Sequence, residues 1–129
     1  MRSINYRYQS LCLHLSFRSK ELFDALHTLQ SNPATRDVIL DVRGQGLMVA
    51  VEFTSPTGTG EFDTFRKPGT PARLASRVAK RCQEKGMLIL TTSVYEIIRF
   101  IPPLNISSED LKKGAQIFVE AVEEVVREG

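Results

Sequence analysis

Residues 97–104 read "IIRFIPPL", a single guanidinium set among β-branched and aromatic side chains. If 97–101 is a strand, Ile97, Arg99 and Ile101 share one face, and Ile98 and Phe100 share the other. Two outcomes fit such an arginine. It can reach water from a strand end along its own apolar stem. Or it lies in a cleft and needs an anion, because an unpaired buried charge is costly. A guanidinium meets a carboxylate through two parallel hydrogen bonds, which fixes orientation as well as affinity. Pro102 and Pro103 have no N–H to give to a ladder, so the strand ends or runs along an edge there. The residue pattern alone leaves a ligand-binding and a structural Arg99 equally open.

The other chemistry-bearing residues offer less. His14 and His27 have no carboxylate or cysteine at an interpretable spacing, and His27 is expected to cap a helix end or face water. HExxH, CxxC and GxSxG do not occur, so metal hydrolysis and elbow-type nucleophiles lose their best signals. No catalytic residue and no metal ligand is assigned. "GQG" at 44–46 begins like a dinucleotide fingerprint, but Val49 holds the third glycine position and a strand follows where a helix should start. A turn or bulge with unusual backbone angles is expected instead. "GTGEF" lacks the Lys-Ser/Thr ending of a phosphate loop. Lys67 lies in a long loop, and nothing around it suggests the lowered pKa that a Schiff-base amine requires; a mobile surface lysine is expected. Arg73, Arg77, Lys80, Arg81 and Lys85 give one segment a basic face that could meet phosphates. No aromatic residues interleave with them, and bases near a helix C-terminus complement its dipole. A solvated face, or one touching another subunit, is expected there.

These residues need elements to hold them. Leu22, Leu26 and Leu29 repeat at helical spacing, with Ser19 available as N-cap and "SNP" at 31–33 as a stop. "DVILDVRGQGLMVAVEF", residues 37–53, predicts two strands or one bent strand. Its wholly apolar stretch Leu47 to Val51 predicts cover on both faces. Residues 54–71 form a long Gly-, Pro- and Thr-rich loop. Thr70 and Pro71 fit the N-cap and N1 of a helix striped by Leu74, Val78 and Cys82, with Gly86 just past its end. "MLIL" at 87–90 and "IIRFI" at 97–101 read as strands, joined by a turn at "TTSVYE". Ser107 starts a last helix, with Asp110 placed as in a capping box. Leu111, Ala115, Phe118, Val122 and Val125 line one side of it; Lys112, Lys113, Glu120, Glu123, Glu124 and Arg127 mark the solvent side. The order implies an α+β domain: a small, mostly antiparallel sheet with helices packed on one face.

Bulk properties agree. A chain of 129 residues, 42% apolar and 25% charged, makes one ordinary globular domain. No apolar run approaches the about 18–20 residues of a membrane span, so no membrane is expected. A net charge of +2 is too small to imply a nucleic-acid partner. Cys12 and Cys82 lie far apart, which favours a reducing compartment. The cytoplasm is expected, with the mitochondrion as alternative. The first twenty residues contain no acid. Such composition is shared by organelle transit peptides, yet "LCLHLSF" alternates in the manner of a strand. A poorly ordered tail over 1–18 is the plainer expectation.

Three blocks then carry a resemblance: "VRGQGLMVAVEF", "CQEKGMLILTT" and "IIRFIPPLNISSEDLKKGAQIFVEAVEEV". Together, in this order and spacing, they resemble the C-terminal small domain of class-III pyridoxal-phosphate aminotransferases, nearest the 4-aminobutyrate (ω-amino acid) group. The likeness covers 19–129, with 1–18 divergent. It implies the small domain of a fold-type I enzyme that moves an amino group from an ω-amino acid to a 2-oxo acid, as a homodimer. In that family the arginine of the R-F-x-P-P-L block binds a substrate carboxylate, a role that passes to Arg99. Gly44 and Gly46 match the R-G-x-G block, with a structural part only. The family's Schiff-base lysine, pyridine-nitrogen aspartate and phosphate loop belong to the large domain and have no counterpart here. The resemblance therefore implies pyridoxal phosphate in the complete enzyme and an inactive, cofactor-free isolated chain. A truncated product, an alternative start or an engineered fragment would each account for this. The rival reading is a stand-alone dimerisation or regulatory module derived from the same fold.

Overall fold

Val49, Val51 and Phe53 alternate with Met48, Ala50 and Glu52, and this period of two decides the architecture: the first set is buried and the second is not. The structure is a computed structural model. It describes residues 2–56, 68–91, 96–103 and 105–129, with side chains from residue 13 onward. Lys67, "GTGEF" and most of the "TTSVYE" turn lie outside the described residues.

The chain forms α1 (Arg2–Ser31), β1 (Ile39–Gln45), β2 (Met48–Phe53), α2 (Leu74–Glu84), β3 (Leu90–Thr91), β4 (Ile97–Phe100) and α3 (Ser108–Glu128). The strands make one sheet in the order β1-β2-β4-β3, every pairing antiparallel. This is the expected α+β layer structure. β1 and β2 are the two predicted strands around "GQG". Gly46 takes φ 60° in the two-residue turn between Gln45 and Met48, where a first-position glycine suits the twist of a hairpin. At Gly44 a Cβ would stand 2.1 Å from the Met48 carbonyl oxygen, so only glycine fits.

The core lies between one sheet face and the helices. Phe118 of α3 is fully buried and meets the Phe100 ring edge-on at 4.7 Å and the Phe53 ring at 6.4 Å. Leu111, Ala115, Ala121, Val122 and Val125 continue that stripe, and Leu22, Leu26 and Leu29 of α1 face it. Ser107 caps α3 as predicted, its hydroxyl accepting from the Asp110 N–H at 3.1 Å. Ser108 adds a cross-link, donating to both Glu21 carboxylate oxygens at 3.0 and 2.9 Å, while Arg18 donates to the same group at 2.6 Å.

Several expectations are corrected. Leu47 to Val51 is covered on one face only: Met48 is 65% exposed, because the helices all pack on the other side. "LCLHLSF" is helix, not strand. Its alternation misleads because, among its described side chains, Leu15 packs on the core, in register with Leu22 one heptad on, while Leu13 and Phe17 face solvent. Ser19 is thus inside α1 rather than its cap, and the helix crosses residue 18 unbroken. α2 begins at Leu74, not after Thr70 and Pro71. Of "MLIL" only Leu90 joins a strand.

The basic face of α2 is only partly left to solvent, since Arg73 and Lys80 are exposed but Arg81 and Lys85 are not. Arg81 binds Glu124 at 2.8 Å and also Glu128, and Lys85 binds Glu124 at 2.8 Å. Much of the acidic side of α3 therefore faces α2. The opposed charges zip the two helices together, which takes Arg81 and Lys85 out of the basic face.

Candidate functional site

Arg99 sits in the middle of β4, opposite Ala50 of β2 and Leu90 of β3. Its neighbours Ile98 and Phe100 go to the core side; Ile98 is fully buried. Arg99 is therefore forced by strand alternation onto the face that no helix covers among the described residues, where it is exposed. Around it that face is apolar: Met48, Leu90 and Ile101 are 65%, 58% and 54% exposed.

A second arginine shares the row. Arg43 of β1 lies on the far side of Ala50. It donates to Glu52 at 2.7 Å and to Asp41 at 3.2 Å, so two carboxylates already satisfy it. Arg99 meets no carboxylate among the described residues. It is the arginine of this row still able to take an external anion through its planar fork.

Arg99 also opens onto a groove of about 490 Å³ at the β3 edge of the sheet, within the range of small-molecule sites. Met87, Ile89, Ile106 and Leu111 give it apolar walls, Pro102 and Pro103 bound it beyond the strand, and Asp110 supplies its other charged side chain. Gly114 forms part of the floor. A Cβ there would come 3.4 Å from the Met87 sulfur. The arrangement can hold a carboxylate at Arg99 with an apolar chain beside it; the described lining residues include no Ser, Thr, Cys, His or Lys. Asp110 and Gly114 were missed as lining residues. A glycine on the apolar stripe of α3, between Leu111 and Ala115, was the available signal.

The remaining candidates stay apart from this site. His27 faces water, with its ring 5.7 Å from that of Phe23. His14 is half-buried on α1. Burial pushes the Cys82 thiol up to about 11, leaving it protonated and unreactive at neutral pH. Among the described residues no group of three or more His, Cys, Asp or Glu could hold a metal ion, and no helix is long and apolar enough to cross a membrane.

The family model for class-III aminotransferases matches residues 8–122. The chain belongs to the class-III aminotransferase family. The match begins earlier than the residue-19 limit of the sequence resemblance. Among relatives, a 4-aminobutyrate aminotransferase of Mycobacterium tuberculosis is 42% identical over 95 residues, 73% of this chain and 18% of the relative. A 5-aminovalerate aminotransferase of Pseudomonas aeruginosa is 37% identical over 98 residues, 75% of this chain and 21% of the relative. The chain thus spans about a fifth of the length of these aminotransferases. In fold it is similar to the N-acetylornithine aminotransferase of Stenotrophomonas maltophilia, with a TM-score of 0.71 at 21% identity over 93% of this chain and 28% of that one.

Class-III aminotransferases are pyridoxal-phosphate enzymes. The described residues do not compose a site for that cofactor: no lysine lines the groove, and Lys85 is committed to Glu124 and Glu120. What this aminotransferase chain presents is one carboxylate-competent arginine on an uncovered apolar face.

Proposed function

We propose that in the complete protein this chain is the small domain of an aminotransferase that passes an amino group from an ω-amino acid to a 2-oxo acid, and that Arg99 holds the substrate carboxylate. One observation carries the reading: Arg99 lacks a carboxylate partner among the described residues and stands at a ligand-sized groove, in the block that resembles the family's carboxylate-binding arginine. The names of the relatives, 4-aminobutyrate and 5-aminovalerate aminotransferases, support a donor with carboxylate and amine at opposite ends of a short chain. Arg99 would fix one end and so place the other, and orientation of this kind is worth orders of magnitude in rate. The apolar surround strengthens the ion pair by lowering the local dielectric. The uncovered face is where the rest of the enzyme, with its cofactor, would close over the site.

The test is a hybrid enzyme in which this chain replaces the matching segment of the M. tuberculosis 4-aminobutyrate aminotransferase. Arg99→Lys exchanges a planar fork for a compact ammonium, so kcat/KM for 4-aminobutyrate should fall roughly tenfold or more. Unchanged kinetics would remove Arg99 from the site.

A further inference from the structure

Glu96 immediately precedes β4 and has the parity of Ile98 and Phe100, so its side chain leaves the strand on the helix side, opposite Arg99. There it meets the start of α2. The N-cap of that helix is Arg73, in the left-handed region at φ 54° and with no side-chain cap bond. The acceptor that Ser, Thr, Asp or Asn would supply comes instead from 21 residues away: the Ala75 N–H donates to Glu96 Oε2 at 2.7 Å. Ala75 is 3% exposed, so water cannot readily replace that acceptor. The Glu96 backbone is tied as well. Its carbonyl accepts from the Phe53 N–H at 2.7 Å, continuing the β2–β4 ladder beyond the Glu52–Ile97 pair. On its other side, among the described residues, β3 pairs with Ile98 and Arg99.

We propose that Glu96 is a positioning residue for Arg99: by joining β4 to the N-terminus of α2 on the covered face, it fixes the roll of the strand and so the direction in which the guanidinium leaves the open face. The β2 and β3 ladders and the packing of Ile98 and Phe100 also constrain the strand, but a small residual rotation swings the tip of a long side chain much further than its Cα. The inference rests on the carboxylate role proposed for Arg99.

The experiment is amide hydrogen exchange on the 129-residue chain and its Glu96 variants. Glu96→Ala should speed exchange at Ile98, Arg99 and Ala75 by roughly tenfold and leave the β1 amides unchanged, because opening is local. Glu96→Gln, which keeps an acceptor oxygen, should stay near wild type. If Glu96→Ala does not fold, Glu96→Asp withdraws the carboxylate by one methylene and must give the same pattern. Faster exchange confined to the first turn of α2 would make Glu96 a helix cap and nothing more. An equal rise in β1 would make its effect global. Either result overturns the proposal. In the hybrid enzyme Glu96→Ala should lower kcat/KM for 4-aminobutyrate while sparing an amine donor that has no carboxylate; equal losses would also overturn it. No ligand enters the exchange measurement, so its failure removes Glu96 alone, whereas unchanged Arg99→Lys kinetics removes the carboxylate role.

Discussion

On β4, Ile98 is sealed against the helix layer, while Arg99, the next residue, stands in solvent on the opposite face. The same alternation runs through β2, where Val49 and Val51 are buried and Met48 is not. The covered face carries the aliphatic and aromatic packing that holds the chain together. The open face carries one arginine already matched to two carboxylates and one that is not. The difference separates stability from binding across a single sheet, so changes on the two faces should have different readouts.

The largest effect is expected on the covered face. Phe118→Ala removes the ring that bridges Phe53 and Phe100 and should cost about 3–5 kcal/mol in urea unfolding. A loss below about 1 kcal/mol would break the assignment of this face as the core. Next comes Gly44→Ala at the hairpin. Its Cβ would collide with the Met48 carbonyl, and the forced shift should cost about 1–3 kcal/mol by the same measurement. The open face should respond otherwise. Arg99→Leu should leave stability within about 0.5 kcal/mol of wild type, even though Arg99→Lys is expected to depress activity in the hybrid enzyme. Arg43→Leu, which strips Glu52 and Asp41 of their partner, should cost up to about 1 kcal/mol. Equal effects of the two leucine variants would erase the distinction drawn between these arginines.

The smallest effect concerns pH. Burial raises the Glu21 carboxyl, but hydrogen bonds from Ser108 and Arg18, with the charges of Arg18 and Lys112, outweigh it and leave the group below its ordinary value. A carboxyl lowered in the folded state stabilises the fold above the unfolded-state pKa, and that stabilisation fades as pH falls through the folded-state value. Glu21→Gln should therefore be less stable than wild type at neutral pH. The difference between their urea midpoints should close below the ordinary carboxylate range.

How much of this was legible in the sequence follows from the range of the interactions involved. The stripes Leu22–Leu26–Leu29 and Leu111–Phe118–Val125 are local patterns, and both lie on helices, although α1 begins at Arg2, well before the Ser19 cap expected for it. The Ser107 cap and the glycine turn are equally local. The start of α2 was misplaced because its acceptor, Glu96, lies on another element, and no pattern near Thr70 could reveal that. The basic face of Arg81 and Lys85 was ambiguous because its partners are Glu120, Glu124 and Glu128, some forty residues away. For Arg99, alternation set the face. Its lack of a carboxylate partner required the whole sheet: Arg43 has the same residue type and the same face, and is matched only because Glu52 lies opposite Asp41.

Cys82 gives the helix layer a built-in clock. Its sulfur is fully buried on the α2 stripe and its thiol is held protonated, so a thiol reagent can reach it only when that packing opens. With peptide mapping to separate it from Cys12, the labelling rate of Cys82 measures how often α2 lifts from the core. It does so in the unmodified chain and without any substrate.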